Sequence, residues 1–560
     1  MSITKSQTEK IGSIFNGNRF QIPSYQRKYT WTEVERKALW QDIEESLNSG
    51  MNHFVGTLSF KENKTSGLST DTHYEIIDGQ QRITTLFILL SVLIDRLPDG
   101  SIKNDQRNAF IGAKDNLKLK PQGIDGDFLN RLIFDYSTID ILTVKKRSQK
   151  FMYAAKQEYI AFVTPLSIDE VEKRIIYIRD RIEILVFNVE GLSQAVKMFS
   201  IINDRGLPLR ILDKTKSILM LYSTLHLSEQ LNTSINDGFE QIFDSYDDLL
   251  IYRESLNILG RFDENTIFTH HYYTAERFFP ETWNNRDGAD TIFQNLKLRC
   301  EQLKENKNEL SDFISQYVAD LSVFALGYCE LIKEIEINKL YQKPFQYLEF
   351  TATMYPLLVR LYLQKKLDSL LTILETTEVR VYKLRGTNPI ADMYWLSSEV
   401  CRHDIPESTI RQHLINFNEK FMNNHNFRNY LDADIYQNGA VKYILSEYSS
   451  DNPGIGDYRD WQVEHIFSKE PNYNPSAYGF AEDYDYEKNR IGNLSLLESS
   501  INKGLGNQAP INKVDGYLKS RVSDIRKVGG EIQRGGFSKT SVDGRRSVII
   551  DFCLQRFQIR

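Results

Sequence analysis

Two short stretches near the C-terminus decide the fold prediction: Trp461-Gln462-Val463-Glu464-His465-Ile466 and Ile491-Gly492-Asn493-Leu494. Apolar residues alternate with polar ones through and just beyond the second stretch, which predicts a β-strand. One of the two serines that follow fits the N-cap of a helix that carries Asn502. The sequence therefore predicts a strand followed by a short helix in the second stretch.

The residue types in this unit fit the hydrolysis of a phosphodiester bond. An imidazole with an ordinary pKa can take a proton from water at cellular pH, so His465 is the candidate general base. Glu464 and Asn502 would supply oxygen ligands to Mg²⁺ or Mn²⁺, and the cation would stabilise charge on the leaving oxygen. Asn493, on the second strand, would hold the histidine ring by a hydrogen bond. The alternative is a buried histidine with two structural asparagines.

At these residues the chain resembles the HNH nuclease domain at the C-terminus of the GmrSD-type, modification-dependent (type IV) restriction endonucleases. The matching positions are Glu464, His465, Gly492, Asn493, Leu494, Asn502, Asn507 and Lys513. The chain departs from the family at Ser468, where the family usually has proline. The resemblance implies a ββα-metal HNH core that cuts DNA.

A second informative segment lies near the N-terminus, where Tyr74-Glu75-Ile76-Ile77-Asp78 predicts a strand. Gly79 then turns the chain into a helix whose start carries Arg82. Free backbone N–H groups and the helix dipole favour an anion at such a point. Arg27 and Arg82 could clamp phosphates as bidentate donors, and Asp78 could hold a metal or a water. The alternative is a buried ion-pair network that includes Asp213 and only holds the domain together.

The same segment resembles the N-terminal domain of the GmrSD-type family, which is related in fold to the ParB and sulfiredoxin group. The resemblance rests on Ile22-Pro23, Tyr25-Gln26-Arg27, Phe54-Val55-Gly56, Asp78 to Leu86 and Ile202 to Leu209. It implies binding and hydrolysis of a nucleoside triphosphate and a part in sensing DNA modification. By position, the nucleotide-site residues would be Asp78, Gly79, Gln80, Gln81 and Arg82, with Arg27 and Arg205 as helpers. Whether the nucleotide is GTP, ATP, CTP or UTP stays open.

Length and pattern predict an α+β, mainly helical protein of three parts. Its 560 residues suffice for three or four domains, and 41% apolar residues allow sizeable cores. We expect a ParB/sulfiredoxin-like, NTP-binding and sensing domain at 1–220, a helical middle region at 221–450, and the HNH nuclease domain with a basic tail at 451–560. A cluster of turn residues at 450–456 marks the last boundary.

The net charge of −6 excludes a positive field over the whole molecule, so DNA binding must rest on local charge. Residues 516–560 carry 10 Lys or Arg against 4 Asp or Glu, directly after the candidate nuclease core. A solvated helical face is the alternative. The predicted DNA contacts are Lys503, Lys513, Lys519 and Arg521.

Cysteine usage and hydropathy point to a cytoplasmic protein. The four cysteines are scattered, which predicts neither a zinc site nor a disulfide framework. Residues 1–15 lack the apolar region of a signal peptide, and the longest apolar run is too short to span a bilayer, so no membrane partner is expected.

Together these features predict an NTP-dependent DNA endonuclease that restricts modified foreign DNA, such as phage DNA. Its partners would be double-stranded, modified DNA and a nucleoside triphosphate, with a homo-oligomer possible. Two alternatives stay open: a nucleotide-hydrolysing sensor or scaffold without nuclease activity, and an abortive-infection nuclease that acts on DNA or RNA regardless of modification.

Overall fold

The computed structural model describes residues 6–23, 26, 28–63, 72–121, 123–144, 146–188, 210–252, 262–480 and 484–560. Within these residues the protein is α+β and mainly helical, as the sequence predicts. The strands are β1 Ser6–Lys10, β2 Asn18–Ile22, β3 His53–Asn63, β4 Thr72–Asp78, β5 Gly112–Ala113, β6 Asn116–Leu117, β7 Leu119–Pro121, β8 Ile182–Asn188, β9 Trp461–His465 and β10 Leu494–Glu498.

The α-helices described up to residue 337 are α1 Ile11–Phe15, α2 Glu33–Ser49, α3 Gln80–Arg96, α4 Ser101–Phe110, α5 Ile124–Phe134, α6 Arg147–Val163, α7 Ile168–Arg181, α8 Ile211–His226, α9 Asn232–Ile251, α10 Glu264–Thr274, α11 Ala289–Leu303 and α12 Lys307–Ile337. Those that follow are α13 Lys339–Gln342, α14 Tyr355–Leu363, α15 Leu367–Thr377, α16 Ile390–Arg402, α17 Glu407–Met422, α18 Asn424–Leu431, α19 Val441–Ser449, α20 Ile455–Asp460, α21 Tyr484–Glu487, α22 Ser499–Leu505, α23 Pro510–Lys519, α24 Ser523–Gln533 and α25 Lys539–Arg556.

Short 3₁₀ turns and two π-helical segments interrupt this pattern. The 3₁₀ turns are Tyr136–Thr138, Ile141–Thr143, Glu276–Phe278, Ala352–Met354, Pro475–Tyr478 and Ile491–Asn493. The π-helical segments are Lys343–Tyr347 and Glu378–Leu384, and each continues directly from an α-helix.

The chain divides into two compact units, one formed by residues 1–248 with 289–322 and the other by residues 249–288 with 323–560. The three-part division expected from the sequence stays a prediction. None of the helices in the described ranges is both long and apolar enough to cross a membrane.

A mixed sheet organises the first unit, in the order β1-β8-β3-β4-β2-β7. β3 pairs in antiparallel fashion with β4 and in parallel with β8, while β2 pairs in parallel with β4 and β7. Helix α3 packs against α6 and α7, and its side chains from Ile83 to Ile94 are all buried. This burial explains why the helix is apolar all round.

Gly79 makes the turn from β4 into α3. Its φ is +91°, a left-handed conformation that glycine adopts without steric cost. A Cβ at this position would lie 2.8 Å from the backbone oxygen of Thr57. Any side chain would therefore meet both backbone strain and a clash, which explains why a glycine joins the strand to the helix.

A two-stranded hairpin followed by a helix lies in the second unit. β9 and β10 are antiparallel, with His465 opposite Leu494 and Glu464 opposite Ser495, and α22 follows β10 directly. The predicted order of strand, strand and helix is therefore present. The predicted serine cap is wrong: Glu498 is the N-cap residue and makes no side-chain capping bond. Its carboxylate instead accepts hydrogen bonds from Ser520 and from the backbone of Arg521.

The second strand begins later than the sequence predicts. Residues Ile491–Asn493 form a 3₁₀ turn, and β10 starts at Leu494. Gly492 in this turn approaches α25 closely, because a Cβ there would lie 2.2 Å from the backbone oxygen of Val542. The glycine therefore lets the turn pack directly on the C-terminal helix.

Candidate active site

His465 is the last residue of β9 and is buried, with 7% of its surface exposed. Its Nε2 lies 3.0 Å from Oδ1 of Asn489, and its ring centre lies 4.3 Å from that of Tyr436. Burial lowers the pKa of His465 to about 4; the bond to Asn489 opposes this shift, and nearby lysines, Lys513 first among them, add to it. The imidazole is therefore neutral at cellular pH and able to accept a proton.

Asn489, the hydrogen-bond partner of His465, is a residue that sequence reasoning missed. It lies between the hairpin strands, after α21, and its Nδ2 donates to Oδ2 of Asp434 at 2.8 Å. Asp434 itself follows α18, 55 positions before Asn489. We find no signal in the sequence that connects these two residues, because neither belongs to a periodic segment.

Asn493 does not hold the histidine ring, so this part of the prediction is wrong. Its Oδ1 accepts a hydrogen bond from the backbone N–H of Phe467, and its Nδ2 donates to the backbone oxygens of Phe467 and Lys488. Both amide hydrogens are thus used on the backbone. Asn493 is fully buried and fixes the chain just after β9, which places His465 indirectly.

Glu464 precedes His465 in β9 and forms a buried ion pair with Lys513. Its Oε1 accepts hydrogen bonds from Nζ of Lys513 and from the hydroxyl of Tyr517, each at 2.7 Å. Lys513 also donates to the backbone oxygen of His465 at 2.8 Å. The prediction that Lys513 contacts DNA is therefore wrong, because only 1% of its side chain is exposed and its ammonium faces the protein interior.

Asn502 lies on α22, as predicted, and its side-chain amide contacts Gln462 of β9 rather than Glu464. Its Nδ2 donates to Oε1 of Gln462 at 3.0 Å. The carboxylate and carboxamide oxygens of Glu464 and Asn502 have the chemistry that Mg²⁺ prefers. Glu464 Oε1 accepts hydrogen bonds from Lys513 and Tyr517, so a cation at that oxygen would compete with the ammonium of Lys513, and the cation site stays a prediction. Among the residues described, no group of three or more His, Cys, Asp or Glu side chains could hold a metal.

The basic residues after the hairpin fall into two groups. Lys503 and Lys519 are exposed, and Arg521 is 64% exposed while its Nη1 lies 2.8 Å from Asp457. Three arginines of the predicted basic tail instead form internal ion pairs: Arg545 with Asp524, Arg546 with Asp432 and Glu487, and Arg556 with Glu375 and Glu447. These three charges hold helices in place, because their partners lie on neighbouring elements of the same unit.

In the first unit, Gln81 ties the start of α3 to the segment before α2. Its Oε1 accepts from the backbone N–H of Thr30 at 2.8 Å, and its Nε2 donates to the backbone oxygen of Lys28 at 3.0 Å. A cleft opens beside these contacts, and its wall includes Gln26, Lys28, Gln80, Gln81, Asp125 and Glu240. Burial lowers the pKa of Lys28, but Asp244 and Glu240 outweigh that effect and raise the pKa overall.

Asp78 and Arg82 lie outside the lining of this cleft. Arg82 Nη1 donates to the backbone oxygen of Thr57 at 3.2 Å, and Thr57 Oγ1 donates to Asp78 Oδ2 at 3.4 Å. Burial raises the pKa of Asp78, and the charge of Arg82 opposes that shift. Gln80 and Gln81 thus line the cleft, while Asp78 and Arg82 contact Thr57 instead. Arg27 and Arg205 lie outside the described residues.

Comparison with known families gives two matches along the chain. Residues 11–220 match the N-terminal domain of the GmrSD restriction endonuclease, and residues 417–551 match the C-terminal domain of GmrSD restriction endonucleases. The hairpin, α22, Asn489 and Asp434 all lie within the second match. A search of curated proteins finds no match.

Proposed function

Because the chain belongs to the GmrSD restriction endonuclease family, we propose that it is an NTP-dependent DNA endonuclease that restricts modified foreign DNA in the cytoplasm. The observation that carries the proposal is the position of His465 at the end of β9, in a pair of strands followed by a helix, which is the order of elements expected of an HNH core. A neutral imidazole accepts the proton of an attacking water. One such site cuts one strand, so a double-strand break requires two engagements or an oligomer.

A divalent cation, Mg²⁺ or Mn²⁺, belongs to the proposal because phosphodiester cleavage develops negative charge on the leaving oxygen. Asn502 offers a carboxamide oxygen on the half-buried face of α22. Glu464 offers a carboxylate, whose Oε1 already accepts a hydrogen bond from the ammonium of Lys513. We therefore assign no step of the reaction to a bound metal.

DNA would reach His465 along the surface that carries the exposed lysines and Arg521. Lys503 and Lys519 are free to contact phosphates because their side chains extend into solvent. Arg521 keeps most of its side chain exposed while it pairs with Asp457 and lies 3.5 Å from Glu498, and the exposed pair with Asp457 is weak enough for a phosphate to replace that carboxylate.

The nucleoside triphosphate would bind at the start of α3. Gln80 and Gln81 line the cleft there, and Lys28 supplies a cation. The described wall also carries the carboxylates of Asp125 and Glu240, so the phosphates need further positive charge. Arg82 and, by position in the family, Arg27 and Arg205 are the proposed sources of that charge.

Substitution of Asp78 or Arg82 by alanine should lower the rate of triphosphate hydrolysis about tenfold or more. A tenfold loss requires the activation free energy to rise by only about 1.4 kcal/mol. Arg96→Gln, an exposed change at the other end of α3, is the matched control and should leave the rate unchanged. Phosphate release per folded protein is the measurement. If the two alanine variants lose thermal stability but keep the hydrolysis rate of their folded fraction, Asp78 and Arg82 are a structural ion pair instead.

The nuclease proposal is tested by comparing three substrates: unmodified duplex DNA, duplex DNA with candidate base or backbone modifications, and RNA. We expect cleavage of modified duplex DNA in the presence of a triphosphate and Mg²⁺, and little cleavage of the other two. Equal cleavage of unmodified DNA or of RNA would favour the abortive-infection alternative. Triphosphate hydrolysis stimulated by modified DNA, without any cleavage, would favour the sensor.

A further inference from the structure

We propose that Asn489 and Asp434 are positioning residues that select Nδ1 of His465 as the atom that accepts the proton. This inference rests on the proposed nuclease function of the same site. Its structural half, the identity of the protonated nitrogen, can be measured without any substrate.

The carboxylate of Asp434 determines which way the amide of Asn489 is oriented. An ionised carboxylate only accepts hydrogen bonds, so the atom of Asn489 that faces it must be the amide nitrogen. The distance from Asn489 Nδ2 to Asp434 Oδ2 is 2.8 Å. The amide oxygen of Asn489 is therefore the atom that lies 3.0 Å from His465 Nε2. Because that oxygen only accepts, Nε2 carries the hydrogen and Nδ1 carries the lone pair.

Asn489 is fixed at its backbone as well as at its side chain. The backbone N–H of Ile435 donates to the backbone oxygen of Asn489 at 3.2 Å. Tyr436, the next residue, places its ring against that of His465 with an angle of 55° between the ring planes. The segment 434–436 thus contacts both Asn489 and the imidazole, so the amide and the ring are held in one relative orientation.

This arrangement suits a proton acceptor. In the proposed step, Nδ1 takes a proton from water while the water oxygen bonds to phosphorus. The bond from phosphorus to the leaving oxygen breaks, and the leaving oxygen takes a proton from solvent. The Nε2–H donates to Asn489 before and after the transfer, so this hydrogen bond needs no reorganisation as positive charge develops on the ring.

The test combines nitrogen NMR of ¹⁵N-histidine-labelled protein with single-turnover cleavage. His465→Asn identifies the signals of His465 among the nine histidines. The wild type should show His465 as the Nε2–H tautomer, while Asn489→Ala and Asp434→Ala should show a mixture. With the protein in excess, the maximal rate constant for cleavage should fall about 10- to 100-fold in Asn489→Ala, the range for loss of an orienting partner, and the half-saturating protein concentration should change less than about threefold.

A swapped pair separates orientation from general damage to the fold. In Asp434→Asn/Asn489→Asp, the carboxylate at 489 can accept both from Nε2–H and from the amide at 434. This double variant should regain the single tautomer and most of the rate. The proposal is overturned if Asn489→Ala and Asp434→Ala keep one tautomer, or if the swap stays as slow as Asn489→Ala. If the wild type cuts nothing but shows the Nε2–H tautomer that both alanine variants lose, the positioning stands and the nuclease assignment fails.

Discussion

Replacement of Lys513 by methionine is expected to lower the free energy of unfolding of its unit by about 3–5 kcal/mol, the cost of removing one partner of a buried ion pair. The side chains of Lys513 and Glu464 are 1% and 6% exposed, so solvent does not screen the carboxylate that remains. The variant also loses the bond to the backbone oxygen of His465. Thermal and urea unfolding, followed by calorimetry and by circular dichroism, measure the loss.

Two further variants make this stability prediction specific. Lys420→Met breaks an ion pair with Asp392 whose side chains are 59% and 39% exposed, and it should cost no more than about 1 kcal/mol. Glu464→Leu combined with Lys513→Met removes both buried charges and should recover part of the loss. If Lys513→Met costs no more than Lys420→Met, the ion pair is not structural and Glu464 is free to serve as a cation ligand.

The sequence predicted the order of the elements at both candidate sites because short-range patterns determine them. Alternating apolar residues predict β10, and the strand, Gly79 and apolar helix predict β4 and α3. These signals lie within about 20 residues. The pair of strands was expected from the resemblance to an HNH core, and the structure places His465 at the end of β9.

Side-chain partners could not be predicted in this way. Whether Asn493 contacts the histidine ring or the backbone of Phe467 depends on where β10 begins. Residues Ile491–Asn493 form a 3₁₀ turn, so Asn493 precedes the strand and its side chain binds the backbone of Phe467. Lys513 resembles a phosphate ligand in sequence, yet its ammonium turns inward because α23 packs near β9 with Tyr517 beside it. Such choices depend on tertiary packing, which a single sequence does not display.

The count of charged residues predicted the DNA-contacting surface poorly. The excess of lysine and arginine after residue 516 is real, but Arg545, Arg546 and Arg556 are paired within their unit. A count of charges cannot separate these from exposed Lys519, because the acidic partners lie far away in sequence. The DNA-contacting surface therefore stays a prediction for Lys503, Lys519 and Arg521.

Replacement of His465 by alanine should lower the rate of strand cleavage by about 10²- to 10⁴-fold, the usual contribution of a general base. His403→Ala, which changes an exposed histidine, is the matched control and should cut at the wild-type rate. Because burial lowers the pKa of His465 to about 4, the ring stays unprotonated from pH 8 down to about pH 5. Titration of His465 should therefore not reduce kcat/KM over that range, and it should do so as the pH falls through about 4.

The most direct measurement is nicking of supercoiled DNA by the wild type, His465→Ala and His403→Ala. The DNA is prepared with and without candidate modifications and incubated with Mg²⁺ and each of the four triphosphates. We expect nicked circles from the wild type and His403→Ala under at least one combination, and intact supercoils from His465→Ala at the same time points. Nicking by His465→Ala at the wild-type rate would contradict the assignment of His465 as the general base of a DNA endonuclease.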